Sequence, residues 1–511
     1  MSFLSYIIQP SIMAITTLTG DEKKLTWNEK LAYAAGNLPG GFFASFTGAL
    51  TIFYYGWMGL SAEYILIGQI LYMIWNVAND PIFGYLQDRT RSKEGRLIPW
   101  IKRSAIPFTI GFYILFFPPQ GWRFQEGGQA YQIALLCWYL VSQWIYDTFF
   151  TIIYIAYTAL APQMTFDQKE RVQLNGLSSI MSLLGWGISM AFPLIFLTDP
   201  TIQSVRTFQI CVAVFGLISI FPWFWIAKVV KEKQELIPKE PTPFWTGIKH
   251  VFSNKSGVMY MIYDGISVGV LNALITGLFF MLSWVFWSFE RNVTGENYMI
   301  YFLIPAIFAF VGIPIQLQIG KRLSTKAALS YSLWTEAIGG FIAYFAIITS
   351  NNLSAGPDWA APSNLIWVSV GLSILFLGFT GDFIFHQVMR ADTIDFDEIR
   401  TGERREAVYA GVACLFGKVM ESVVFALIPI LLTVYGLVPT DPDSPISEPI
   451  NPSQGTGNAI IGVATGVFLL PAVLALIGGI LWFWYPLNAK KITEMKITLD
   501  AMHQQKREER L

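Results

Sequence analysis

The sequence predicts an all-α integral membrane protein, with about twelve transmembrane helices in two pseudo-symmetric six-helix bundles. Three observations carry this prediction. The composition is 54% hydrophobic and 16% aromatic with only 14% charged residues, where soluble chains carry about 25%. Apolar stretches of roughly 20–30 residues recur, each long enough to cross a hydrocarbon core of about 30 Å. The loops between them alternate in basic charge.

Residues 1–30 are mixed. Met1–Leu18 is apolar but contains Pro10, lacks a basic start and is not followed by a small-residue cleavage site. It reads as an interfacial or disordered arm rather than a cleaved signal. The predicted spans lie near 31–56, 63–87, 98–118, 129–160, 173–198, 206–229, 256–288, 297–319, 327–349, 364–389, 406–437 and 458–485. Arg89, Arg91, Lys93 and Arg96 follow the second span, Lys169 and Arg171 the fourth, and Lys228, Lys231, Lys233 and Lys239 the sixth. Lys321, Arg322 and Lys326 follow the eighth, and Arg400, Arg404 and Arg405 the tenth. Lys490, Lys491, Lys496, Arg507 and Arg510 follow the twelfth. The odd-numbered loops carry chiefly Arg123 and Arg291. The positive-inside rule then puts both termini and every even loop in the cytoplasm, and the expected location is the plasma membrane. A missed or invented span would break the alternation, so the charges support the helix count as well.

The most polar internal stretch, near 230–250, divides the chain. The expected organisation is an N-terminal segment 1–30, a first bundle 31–230, a cytoplasmic loop 231–255, a second bundle 256–487 and a cytoplasmic tail 488–511. Gly84-Tyr-Leu-Gln-Asp-Arg-Thr-Arg after the second span is echoed by Gly320-Lys-Arg-Leu-Ser-Thr-Lys after the eighth. Duplicated halves are the plan of secondary transporters, with the site between them near the midplane. The stretch 439–457, rich in proline, serine and acids, reads as an irregular outward loop.

Cys137, Cys211 and Cys414 sit in apolar runs at no metal-ligand spacing, and His250, His386 and His503 are scattered. Nucleophile elbow, phosphate loop and metal cluster are all missing, so the chain does not read as an enzyme. No cofactor is expected beyond a transported Na⁺ or H⁺. The expected partners are a small molecule and the bilayer, with no nucleic acid and a monomer as the functional unit.

Ionisable groups inside the spans are costly and mark sites. Here they are Asp80, Asp147, Asp264, Glu336, Asp382, Lys418 and Glu421. Asn76 and Asp80 stand at i, i+4 on one face, with Asn79 beside them. Their oxygens suit a small hard cation or a proton, and equally an acid that pairs with a lysine to hold helices together. Asp147, Thr151 and Tyr154 share a face of the fourth span, as the lining of a polar cavity or as a structural hydrogen-bond cluster. Lys418 is the one lysine far from a span end. Its natural partner is Asp80, across the two halves, and Glu421, one turn away, competes. Asp264, Glu336 and Asp382 have no obvious basic neighbour.

Asn79-Asp80-Pro81, Gly84, Thr90-Arg91-Ser92-x-x-Gly95-Arg96 and Pro99-Trp100 resemble the second helix and following loop of the glycoside–pentoside–hexuronide:cation symporters, a family of the major facilitator superfamily. A second signature agrees: Ala391-Asp392-Thr393-Ile394-Asp395-Phe396-x-Glu398, Thr401-Gly402-x-Arg404-x-Glu406, then Lys418. Pro162 and Glu170-Arg171 are a third piece. The resemblance covers both halves and implies the major facilitator fold and alternating access. It also implies a coupling-cation site at Asp80, Asn79 and Thr151 with Lys418 close by. The family typically has a second aspartate where this chain has Asn76. Asp147, one turn before Thr151, is our candidate for the missing charge.

The resemblance implies a substrate cavity at Lys418, Glu421, Tyr154, Gly41 and Ser179. The last three stand where the family's best-known sugar carrier has two acids and an arginine. Sites without those donors and acceptors discriminate sugars poorly. Pro39, Gly95-Arg-Leu-x-Pro-Trp100 and Tyr485-Pro486 are similar to the family's lysophospholipid-symporter branch. The expected function is therefore cation-coupled symport of a glycoside or sugar-type solute. Symport of a lysolipid or other anionic amphiphile is the alternative, and a non-transporting sensor on the same fold stands behind both. The implied cytoplasmic gate comprises Gly84, Asp88, Arg89, Arg91, Gly95 and Arg96, with Asp392, Asp395, Arg404 and Glu406 opposite. Gly84 is expected to permit close helix packing.

Overall fold

The computed structural model describes residues 25–119, 128–164, parts of 173–185, 202–232, 249, 251–281, 300–349, 362–402, 406–435 and 457–508. The first span is a jointed rod of α1 (Trp27–Ala35), α2 (Asn37–Gly48), α3 (Leu50–Ile52) and a π-turn (Phe53–Trp57). Thr26 and Glu29 start it with a reciprocal capping box. The first joint falls at Gly36, where a Cβ would meet the Tyr157 ring at 2.6 Å. The first half continues with α4 (Ala62–Arg89), α5 (Ile98–Phe116), α6 (Gly128–Met164) and α7 (Ile202–Val229). The second half contains α8 (Lys255–Phe280), α9 (Ile300–Arg322), α10 (Thr325–Ile348), α11 (Pro362–Thr401) and α12 (Glu406–Val434). It ends with α13 (Gly457–Ala464), a π-turn (Thr465–Leu469), α14 (Leu470–Trp482) and α15 (Ala489–Glu508). Seven of the described helices are long and apolar enough to cross a membrane.

The structure extends two readings and corrects a third. The tenth span was expected to end near residue 389, yet α11 runs to Thr401, about 60 Å at 1.5 Å per residue and twice a hydrocarbon core. Its charged end stays helical because the start of α8 holds it. The Arg400 guanidinium donates to the Ser253 carbonyl and hydroxyl, both at 2.6 Å, and the Asn254 amide to the Thr393 carbonyl at 3.4 Å. The tail 488–511 contains a helix, α15, packed along α11, with Lys491 over the Phe396 ring. Gly84 is no packing glycine, since a Cβ there would meet nothing within 4 Å. Most of the fifth span, of the 231–255 loop and of the N-terminal segment, and the 439–456 loop, lie outside the described residues.

Within the first half α4 packs on α6, α6 on α5 and α5 on α7. Within the second, α11 packs on α9 and α10, and α8 on α12 and α14. The halves meet mainly through α4 against α12. One apolar cluster takes in most of the buried apolar residues of the first half and reaches into the second, where its members include Leu278, Phe280, Ile347, Leu365, Ile428 and Ile460. Those six lie at the ends of their helices away from the chain termini. The other cluster, around Tyr260, Leu329, Met389 and Tyr485, is built of second-half residues. Tyr55 bonds Thr433 at 2.9 Å and packs edge-on to Phe280 across the same far end. The bundles are thus sewn together at the end remote from the termini.

Candidate cation site between the bundles

A ladder of side chains holds α4 against α6. Gln69 donates to the Tyr139 hydroxyl at 2.5 Å, the Trp75 indole to Thr148 at 3.0 Å, and the Gln87 amide to the Ile152 carbonyl at 2.8 Å. On α4 Gln69, Asn76, Asp80 and Gln87 fall on one face at 3.6 residues per turn, so two of the rungs flank the acid on its own face. Pro81 lacks an N–H and leaves the Val77 carbonyl without its helical donor. This loosens the backbone beside Asp80.

At the centre the Lys418 ammonium lies 2.7 Å from Asp80 Oδ1, with 16% of each side chain exposed. Lys418 also donates to the Asn76 carbonyl at 2.9 Å and to Asn79 Oδ1 at 3.2 Å. The Thr151 hydroxyl donates to the same Asp80 oxygen at 3.1 Å. The Asn79 amide donates to Asp147. Asn79 therefore bridges the ammonium to a second carboxylate. Glu421 stands in the field of both Asp147 and Lys418 without an ion pair described between it and Lys418. Three acids thus surround one base. Asn76 is buried, and its Oδ1 has no hydrogen-bond partner among the described residues. Aspartate 80, asparagines 76 and 79, Thr151, Asp147, Lys418 and Glu421 therefore form one cluster, and Asp80 rather than Glu421 takes the lysine.

Two of the other expected cavity residues have packing contacts within the first bundle. Tyr154 lies tilted against Phe150, ring centroids 4.4 Å apart, and meets Trp223 edge-on at 5.5 Å. Its hydroxyl abuts Gly40, where a Cβ would come within 2.6 Å. Gly41 packs against Gly185, whose Cβ would stand 3.3 Å from the Gly41 Cα. Both residues serve packing inside the first bundle, because small residues and rings there let helices approach closely. Ser179 lies outside the described residues.

The loop after α4 is tied to its own bundle. Gly95 adopts φ +110°, which a side chain disfavours. Beyond it the Glu232 carboxylate accepts the N–H groups of Arg96 at 2.8 Å, Leu97 at 2.6 Å and Ile98 at 2.8 Å. An anion on the first free donors of a helix answers both its hydrogen bonds and its dipole. Sequence reasoning missed Glu232, which sits among alternating charges. Arg89 lies over the Tyr85 ring at 4.2 Å, and Arg91 is exposed. On the other side Asp392 is buried and Asp395 half-buried along α11. Arg404 and the side chains of Asp88 and Glu406 lie outside the described residues.

His386 was also missed. Its Nε2 lies 3.0 Å from Asp264 Oδ1 and 2.9 Å from the Tyr260 hydroxyl, so Asp264 does have a basic neighbour. The signal was its i, i+4 spacing from Asp382.

A sequence profile described as MFS/sugar transport protein matches residues 32–489. An uncharacterized symporter of Synechocystis sp. is 23% identical over 94% of this chain and 98% of its own length. The sodium-dependent lysophosphatidylcholine symporter 1 of Xenopus tropicalis is 21% identical over 85% of this chain and 82% of its own. An isoprimeverose transporter of Lactiplantibacillus pentosus is 21% identical over 81% of each. Among solved structures a D-xylose-proton symporter superposes with a TM-score of 0.59 at 12% identity, over 91% of this chain and 99% of that one. That likeness carries the fold.

Proposed function

Because the chain belongs to the MFS/sugar transport protein family, we propose that its symport is coupled to a cation bound around Asp80. The chain is a secondary active symporter of a small organic solute in a membrane, not an enzyme. One observation carries the coupling site. Lys418 rests on Asp80 while the buried Asn76 Oδ1 beside it has no described partner. The ammonium is the resident cation of the empty carrier. Na⁺ or H⁺ binds Asp80, with Asn79, Thr151 and Asn76 supplying oxygens to Na⁺, and so displaces Lys418. The freed ammonium faces the space between the bundles, where substrate binds. Cation and substrate then favour each other by about 1–3 kcal/mol of reciprocal coupling. The ion is cargo rather than a held cofactor. The protein works as a monomer in the plasma membrane with its termini cytoplasmic. The far-end seam supports an inward-facing state, with the Glu232-anchored loop and the charged end of α11 as the gate faces.

The solute is a glycoside or sugar-type molecule, as the family description and the isoprimeverose transporter suggest. A lysolipid or other anionic amphiphile is the second reading. It is favoured by the packed Gly41 and Tyr154, which leave Lys418 the principal polar handle for substrate. A thermal-shift screen of sugars, glycosides, hexuronates and lysolipids, each with and without Na⁺ and across pH, tests both. The true substrate raises the melting temperature more when the coupling ion is present, by linkage. If no class shows ion-linked stabilisation, the symport mechanism at Asp80 fails.

Asp147 stands in for the missing second acid. Asp147→Asn weakens cation dependence about tenfold, roughly the 1.5 kcal/mol of one hydrogen bond to a charged group. Ion-titrated uptake in proteoliposomes reads this, and an unchanged half-saturation point would remove Asp147 from the site.

A further inference from the structure

The second bundle buries another pair of acids away from the interface. We propose that Glu336 and Asp382 form a second cation site, for a proton or Na⁺, inside this bundle. Asp382 on α11 accepts from the Tyr263 hydroxyl and, at 2.6 Å, from the Ser267 hydroxyl, both on α8. Glu336 on α10 is 1% exposed, and neither of its carboxylate oxygens has a hydrogen-bond partner among the described residues. Gln316 on α9 is fully buried. It donates to the Ser332 hydroxyl at 2.9 Å and the Gly378 carbonyl at 3.3 Å, while its Oε1 has no described partner.

Glycines on α11 make the room. A Cβ at Gly378 would stand 3.1 Å from the Glu336 side chain, and one at Gly381 would stand 2.8 Å from the Gln316 amide. Unpartnered oxygens from α9 and α10 therefore converge on the turn that carries Asp382. Glu336 and Asp382 interact electrostatically. Two carboxylates buried together call for one positive charge between them. A proton and Na⁺ both answer that demand through oxygen ligands.

The other titratable groups facing the pair are Tyr263, Tyr260 and Asp264 from α8 and His386 from α11. Arg390 lies two turns further along α11. His386 Nε2 lies 3.0 Å from Asp264 Oδ1, so that carboxylate shares the imidazole with the pair. Asp264 Oδ2 would also stand 3.6 Å from a Cβ at Gly417, the residue before Lys418. Asp264 and His386 thus connect the pair to the interface. The site is independent of the reading of Asp80, and the two are separable by experiment.

The test uses purified protein in detergent: wild type, Glu336→Gln, Asp382→Asn and Asp80→Asn. Bound radioactive Na⁺ is counted, and the carboxylic-acid C=O stretch is followed by infrared difference spectroscopy in H₂O and D₂O. If the site takes a proton, wild type shows a deuterium-sensitive acid band that Glu336→Gln or Asp382→Asn removes and Asp80→Asn keeps. If it takes Na⁺, Glu336→Gln or Asp382→Asn loses one bound ion per chain that Asp80→Asn retains. Either result supports the site. A band and an ion count identical in wild type and in both second-bundle variants overturn it. So does a wild type with no acid band and a single bound Na⁺ that Asp80→Asn abolishes, a result that needs neither second-bundle variant to fold.

Discussion

Asp80→Asn abolishes cation-driven accumulation in proteoliposomes and lowers stability by about 3 kcal/mol. That is the low end for breaking a buried ion pair, because both side chains keep 16% exposure. The loss comes from Lys418, left among the Asn76 and Asn79 oxygens without its carboxylate. The double variant Asp80→Asn/Lys418→Met therefore recovers most of the stability and none of the coupling. Melting in detergent reads the first quantity and ion-gradient uptake the second, and the cycle isolates the pair. Retained ion-dependent uptake in Asp80→Asn would move the coupling site elsewhere.

Glu232→Ala is the second large effect, and it acts on the loop after α4 rather than on the ion. The carboxylate takes three successive N–H groups at the start of α5. Each such bond is worth about 1.5–3 kcal/mol singly. They share one acceptor, so the joint loss is about 3 kcal/mol rather than the sum. Glu232→Gln keeps one acceptor oxygen, gives up the other and the charge, and loses about half. Hydrogen exchange across 95–100 rises in Glu232→Ala before the rest of the bundle responds. A variant that melts with wild type and keeps slow exchange there would show that water replaces the carboxylate at no cost. Gly95→Ala points the same way. It combines the strain of φ +110° with a Cβ 2.6 Å from the Glu232 carboxyl carbon.

The helices and the Asp80–Lys418 pair were legible in the sequence for one reason. Lipid penalises charge, so a lone lysine deep in a span and an acid in the opposite half have few other partners. Thr151 and Asp147 were legible through helical spacing. Four features were not. The end of α11 leaves the hydrocarbon, so its charges resemble a loop although Ser253 and Asn254 keep it helical. Glu232 acts through backbone groups far along the chain, which leave no trace in side-chain pattern. Gly84 looked like a packing residue by type, but whether a glycine touches a neighbour depends on how the helix is turned. His386 was hidden by a search for metal-ligand clusters, while its relevant partners were a tyrosine and an aspartate.

The seam at the far end has a thermal consequence. Turning the carrier over means parting Tyr55 from Thr433 and Phe280 and wetting the apolar cluster behind them. Newly wetted apolar surface raises heat capacity by about 0.45 cal/mol/K per Å². The leg that opens this end therefore carries a positive activation heat capacity. Its enthalpy of activation climbs with warming, and its Eyring plot bends. The carrier's turnover therefore grows steeper in temperature as it warms and flattens in the cold, a curvature set by the hydration of the seam.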